Sequence, residues 1–312
     1  MTTPAIKLAE DYRAAGTPER LSWGSIELQV TNLDRSVQFW TDVMGLRARA
    51  TRSSGAIELG TRLQTLIVLH PGARQPVLSG HTGMYHVAIG MPSQQEFSRY
   101  LARLMARRIQ AFPVDHTMSK AIYLSDPDGH GIEIAYETPE RFQRFVDHPS
   151  GIAMIDADGR LRLGRDPLDL RFELSHAPRA GLDGPISDGA FIAHLHLHVR
   201  ALEPAIRFYE QLGFIRNLNL PKIGMADLGA GGAYTHRIAV NVWQGPNAKK
   251  PPADAARLLG YEVRVSNARI LAEAATALRG ELHTSHMVTG DLDGASLTLR
   301  LLEQPTMALE SL

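Results

Sequence analysis

"IELQVTNLDRSVQFWTDVMGL", residues 26–46, returns in the second half of the chain as "LHLHVRALEPAIRFYEQLGF", residues 195–214. In both, alternating apolar residues lead into a short polar turn, an amphipathic run with an aromatic pair, and Gly followed by an apolar residue. A period of two marks a strand and a period of 3.6 a helix, so each copy reads as strand, turn, helix, turn. Shorter strand candidates follow: "AIELG" (56–60) and "QTLIVLH" (64–70) after the first copy, "GMADLG" (224–229) and "RIAVNVW" (237–243) after the second. The repeating unit is βαββ or βαβββ.

Two weaker copies fit the same template. "MYHVAIGMPSQQEFSRYLARLMARR" (84–108) has Pro92 and Ser93 where a helix cap belongs, and it closes in "KAIYLSDPDGHGIEIAYE" (120–137), a hairpin around a Pro-Asp-Gly turn. "GYEVRVSNARILAEAATALRG" (260–280) closes in "SHMVTGDLDGASLTLRLLE" (285–303) with an Asp-Gly turn. The expected fold is therefore α+β, with four βαββ modules at 22–80, 81–146, 190–248 and 256–305. They group as a first pair over 22–146 and a second over 190–305. The stretch between them, 147–189, is rich in Gly, Pro and Asp and reads as an interdomain linker, ordered only in part.

With 312 residues, 44% hydrophobic and 21% charged, the chain has the composition of a soluble globular protein of about two domains. Lys+Arg and Asp+Glu balance at 33 each, so the electrostatic footprint that nucleic acid or an anionic bilayer requires is missing. No run approaches the apolar length of a membrane span, and "MTTPAIKLAEDYRAAG" lacks the basic-then-apolar pattern of a secretory leader. Neither nucleic acid nor membrane is expected as a partner, and the cytoplasm is the expected location. Exposed sheet edges on a neutral chain favour a homo-oligomer. The absence of cysteine removes disulfides, thiolate zinc, iron–sulfur clusters and a Cys nucleophile together, so any metal must be held by His and carboxylate.

Attention therefore falls on the 13 histidines. His70, His81, His148, His176, His283 and His286 sit in loop-like or turn-like surroundings with nothing to promote them, and His130 reads as a solvated turn residue. His86 and His194 are placed differently: they occupy the same slot in the opening strands of the second and third modules. Glu133 lies in the last strand of the second module, and His236 begins the last strand of the third. A site built from the first and last strands of these two modules would receive all four. Two imidazoles and a carboxylate on one face, with positions left open, form the triad that suits non-haem Fe(II) and O2 chemistry. His196 and His198 share the strand parity of His194, so one of the three is the expected ligand while the others pack or hydrogen-bond. Glu137 shares the parity of Glu133 and is the corresponding decoy.

The segment 114–133, "VDHTMSKAIYLSDPDGHGIE", together with "GMYHVAI" (83–89), "AHLHLHV" (193–199) and "YTHRIAVNVW" (234–243), makes the chain resemble the type I extradiol ring-cleavage dioxygenases. These are catechol 2,3-dioxygenase-like members of the vicinal oxygen chelate, or glyoxalase/bleomycin resistance, superfamily. The resemblance covers about residues 22–305 and is strongest in modules two and three. It implies two half-barrels of the superfamily type, a small aromatic diol and O2 as substrates, and Fe(II), with Mn(II) as the alternative, held by His86, Glu133 and His194. It further implies that His236 is the acid–base residue, and that His116 and Tyr123 hydrogen-bond substrate oxygens and steer dioxygen.

One departure bears on the architecture. Two-domain members of the family pair their third and fourth modules to make the site, whereas here the Glu-bearing signature lies in the second. The fourth module has Gly260 and Thr298 in the metal-ligand positions, and the opening strand of the first offers Ser25 and Glu27 but no His. Modules two and three are thus expected to share the working site across the linker, with one and four as a structural partner. Two other functions use the same fold. A glyoxalase-like metal-dependent isomerase or lyase would place Glu where His236 stands and lack the His116-to-Tyr123 run. A non-enzymatic small-molecule-binding module would need an apolar trough and no metal ligands.

Overall fold

Every second residue or so of Leu21–Val30 is Leu, Trp, Ile, Leu or Val, and those are the residues this strand, β1, buries. In this computed structural model, which describes residues 18–149 and 151–302, each module opens on such a strand and then turns into a helix. Short polar side chains make the turns: Asn32 accepts from the Arg35 N–H, Ser93 from Glu96 and Asn267 from Ile270, each satisfying a backbone donor the helix leaves free.

After β1 come α1 (Leu33–Gln38), β2 (Arg47–Thr51), β3 (Ile57–Gly60) and β4 (Thr65–Pro71). The second module comprises β5 (Gly83–Gly90), α2 (Gln94–Ala106), β6 (Phe112–Asp115), β7 (Ser119–Ser125) and β8 (Gly131–Glu137). An insert follows, with β9 (Phe142–His148), β10 (Gly151–Asp156), β11 (Leu161–Arg162), β12 (Asp166–Pro167) and α3 (Leu170–His176). The third module is β13 (Phe191–His198), α4 (Leu202–Gln211), β14 (Ile215–Leu220), β15 (Met225–Gly229) and β16 (Ile238–Asn241). The fourth is β17 (Arg257–Val265), α5 (Ala268–Leu278), β18 (Glu281–Leu282), β19 (His286–Gly290) and β20 (Ser296–Leu301). All four modules are thus βαβββ. Residues 303–305 of the fourth, like the amino-terminal stretch read above for a leader, lie outside the described residues.

The modules interleave. One sheet of nine strands runs β12-β6-β7-β8-β5-β13-β16-β15-β14, and another of eight runs β18-β19-β20-β17-β1-β4-β3-β2. Each sheet draws one module from 22–146 and one from 190–305, joined by an antiparallel seam of opening strands: β5 with β13, and β1 with β17. A continuous apolar core takes residues from all four modules, among them Trp40, Phe97, Leu195 and Val263. Trp23 of β1 ties the two sheets by donating its indole N–H to the Arg237 carbonyl at 2.9 Å. No helix among the described residues is long and apolar enough to cross a membrane.

The reading of 147–189 as a partly ordered linker is corrected. β9, β10 and β11 form a sheet of their own, β12 extends the edge of the nine-stranded sheet beside β6, and α3 packs on α2. The Gly and Asp residues that suggested looseness make ordered turns: Gly159 closes the β10–β11 hairpin and Gly164 bends the chain from β11 to β12, with φ of 80° and 73°, a region that favours glycine. α3 is anchored electrostatically, because Glu173, 1% exposed, pairs with the buried ammonium of Lys120 at 2.6 Å. Glu173→Ala strands that buried charge, and chemical denaturation should show a loss of roughly 3–5 kcal/mol, the usual consequence of breaking a buried pair from one side.

Candidate metal centre

Three strands set the centre. On β5, Ala88 pairs with Glu133 of β8 on one side and with His194 of β13 on the other, and His86 lies two residues back on the same face. The small methyl of Ala88 leaves the space above it to the three longer side chains. Gly131, at the start of β8, is required for this approach: a Cβ there would lie 2.0 Å from the Tyr85 carbonyl oxygen.

His86 Nε2, His194 Nε2 and Glu133 Oε2 form a triangle with every side 3.1 Å, and Glu133 is 2% exposed. Burial would raise the Glu133 pKa, but the adjacent His194 and His86 outweigh it and hold the carboxyl well below its usual range. Burial pushes His194 down to about 3, so its imidazole is neutral and keeps a lone pair. A buried anion facing that neutral imidazole calls for a cation. Bonds of about 2.1 Å meeting at right angles would put ligand atoms about 3.0 Å apart, so the triangle fits one face of an octahedral metal site. Nδ1 of both histidines is enclosed without a hydrogen-bond partner, so ring packing orients them: His86 stands 5.5 Å from the Tyr123 ring and His194 4.7 Å from His236. Among the described residues no other group of three such side chains converges in this way.

His236 flanks the triad. Its Nδ1 lies 2.7 Å from Oδ2 of Asp227 on β15, whose other oxygen accepts from the Leu218 N–H and the Asn217 amide. Burial lowers the His236 pKa, yet the hydrogen bond and charge of Asp227, with Glu133 beyond, raise it overall above the ordinary value. Nδ1–H is committed to Asp227, which leaves Nε2 as the nitrogen that gains and loses a proton.

His116 follows β6 in a turn where Thr117 takes φ of 66°. Its Nδ1–H donates to the Gly164 carbonyl of the insert, so its Nε2 accepts the Tyr123 hydroxyl at 2.8 Å. Burial lowers the His116 pKa and raises that of Tyr123, the latter helped by Glu133, so both stay neutral. All six residues singled out in the sequence line one cavity of about 1270 Å³. The insert roofs part of it: Met154, Phe142 and Phe145 pack with Met118 and Tyr234.

One residue falls elsewhere than expected. His130 is not solvated; it is buried, donates its backbone N–H to Asp126 Oδ1, and directs its ring nitrogen at the Gln29 carbonyl, 3.0 Å away on β1. Glu137, read as the decoy, ion-pairs with Arg237 and stays out of the centre. Sequence reasoning missed Asp227, for which a carboxylate inside the apolar strand "GMADLG" was the available signal, and the roof residues Gly164 and Arg165, hidden in the stretch read as linker.

Residues 23–134 match the family described as Glyoxalase/Bleomycin resistance protein/Dioxygenase superfamily. Over 243 residues the chain is 32% identical to the catechol-2,3-dioxygenase of Bacillus subtilis (strain 168), covering 77% of this chain and 81% of that protein. Among solved structures, a provisionally assigned dioxygenase from Bacillus subtilis subsp. subtilis str. 168 superposes with a TM-score of 0.55 at 11% identity, over 91% of this chain and 86% of that one. Glyoxalase I from Zea mays does so with a TM-score of 0.51 at 15% identity, over 90% and 92%. At these identities the two structures show a shared fold. The geometry gives a direct expectation: Glu133→Ala and His86→Ala should each purify with less than about a tenth of the wild-type metal content by elemental analysis, since two remaining donors under-hold a divalent ion.

Proposed function

The chain belongs to the glyoxalase/bleomycin resistance protein/dioxygenase superfamily, and from that premise we propose that it cleaves the ring of a catechol-type dihydroxy aromatic with O2, beside the diol, at Fe(II) held by His86, Glu133 and His194. The observation that carries this reading is the placement of His236 and of the Tyr123–His116 pair around one buried His-His-Glu triangle. Bound there, iron would supply open positions for the diol oxygens and dioxygen and a path for electrons between them.

The residues supply the rest. His236 Nε2 takes a proton from a diol hydroxyl and returns it as the ring opens, which needs a base with a pKa near neutrality. Asp227 fixes the tautomer and orientation of that imidazole at 2.7 Å. Tyr123 is held neutral with its hydroxyl proton donated to His116, so its oxygen is left to accept a hydrogen bond from a diol hydroxyl, and His116, both of its nitrogens engaged, positions that oxygen without adding charge to the cavity. A cavity of about 1270 Å³ is far larger than one benzene ring and leaves room for ring substituents. The glyoxalase-like alternative calls for a carboxylate at position 236, where this chain has an imidazole. The nitrogen and oxygen donors suit Mn(II) as well as Fe(II), and elemental analysis decides between them.

The test is anaerobic purification, metal analysis and addition of catechol in air. About one iron per chain and a yellow ring-opened product are expected; metal without product would overturn the assignment of substrate, and no metal would overturn the triad. His236→Phe should keep its metal and lose turnover by about 10²-fold or more. Asp227 raises the His236 pKa, so kcat/KM of the wild type climbs as pH passes that raised value. Asp227→Asn removes the charge, the pKa falls, and the acidic limb of the pH–rate profile should move to lower pH.

A further inference from the structure

Another wall of the cavity carries a run of side chains in which every hydrogen-bond direction is fixed. The Gly80 N–H donates to Gln244 Oε1, which makes Nε2 the donor end of that amide. Gln244 Nε2 lies 3.2 Å from His198 Nε2, so it donates there and that nitrogen holds a lone pair. The proton of His198 is therefore on Nδ1, 2.7 Å from Asn241 Oδ1. The same oxygen accepts the Trp243 backbone N–H at 3.1 Å, which orients the Asn241 amide independently of either histidine. Asn241 Nδ2 then donates to His196 Nε2 at 2.9 Å, and the proton of His196 is left on Nδ1.

That last N–H has no protein acceptor among the described residues. Unlike the enclosed Nδ1 atoms of His86 and His194, it reaches open space, although His196 as a whole is only 4% exposed. The His196 ring stands 5.0 Å from that of His86 and 6.4 Å from that of His236, between a proposed metal ligand and the proposed base. Two backbone N–H groups thus lock, through four side chains, a neutral donor into the part of the cavity where the diol would sit.

We propose that His196 is a substrate-binding residue whose Nδ1–H donates to an oxygen of the bound diol, with Asn241 as the positioning residue that keeps the proton on Nδ1. This rests on the ring-cleavage reading of the cavity. A neutral donor recognises an oxygen without competing with His236 for its proton, and it holds in ground and transition state alike, so it governs affinity more than turnover.

The test has two parts that need no turnover. Nitrogen NMR of histidine-labelled, metal-free protein should show His196 protonated at Nδ1 and bare at Nε2, and Asn241→Asp should reverse this by offering Nε2 a carboxylate. Calorimetry of the iron-loaded protein with catechol under anaerobic conditions should show affinity falling about 10-fold in His196→Phe and Asn241→Asp, while His196→Asn, which keeps a donor, stays within about 3-fold of wild type. Iron content should be unchanged in all three. An Nε2-protonated His196 in the wild type would overturn the proposal, as would unaltered catechol affinity in iron-loaded His196→Phe, or a loss of affinity in that variant that merely follows loss of iron, the result expected if the ring only packs against His86. Wild-type protein that binds catechol with this pattern but does not cleave it would overturn the ring-cleavage reading and leave the binding role of His196 supported.

Discussion

The Glu133 carboxylate, buried to 2% exposure between the imidazoles of His86 and His194, is the constraint around which the nine-stranded sheet is organised. An anion in such a place is costly unless it is paired, and among the described residues no arginine or lysine pairs with it. The β5–β13 seam brings its two partners from different modules, one from each strand. A slip of one residue along that seam would turn His86 or His194 to the opposite face. The register is pinned by bulges between Ile192 and His194 and between His196 and Leu197, and the second of these places the Tyr85 ring 4.9 Å from His86 on the cavity side.

The eight-stranded sheet meets the same electrostatic problem and answers it differently. Its seam sets Glu27 opposite Gly260, and its cup holds Glu27, Glu58 and Glu262. Here arginines occupy the place a cation would take: Arg52 bridges Glu27 and Glu58 at 2.9 and 2.7 Å, and Arg264 and Arg300 clasp Glu262 at 2.9 and 2.8 Å. His70 adds a contact to Glu27 at 2.9 Å. Guanidinium groups satisfy carboxylates with several donors at once and fill the space doing so. One fold therefore leaves the counter-charge of its carboxylate to a ligand in one sheet and supplies it from the chain in the other.

What could be read from the sequence, and what could not, follows from the range of the forces involved. Period and parity are local, so the four strand–helix openings and the shared slot of His86 and His194 were legible, and Ser93 caps α2 where a cap was expected. The second strand of each module was harder: β2 is "RARAT", exposed at every position, and β18 has two residues, so neither carries an alternating signal. His130 was misread because what buries it is not local; the turn folds under β1 of another module, where the Gln29 carbonyl waits. The insert was misread because Gly, Pro and Asp mark both slack chain and tight hairpins. Alternation in "GIAMIDADGRLRL" (151–163) around an Asp-Gly turn was the signal that separates them.

Proton affinity among the cavity's imidazoles follows from which of them is given a carboxylate of its own. Burial lowers the pKa of His116, His194, His196 and His198, and the hydrogen bonds each makes are those of a neutral ring. His236 alone among these cavity rings has its pKa raised, because Asp227 is 2.7 Å from Nδ1 and is itself held by two further donors. The cavity's two acidic residues are thereby committed, Glu133 to the triangle and Asp227 to His236. A site that must move one proton while recognising several oxygens gains from this division. A second basic imidazole would compete for the same proton, whereas neutral rings donate in directions their neighbours have already fixed.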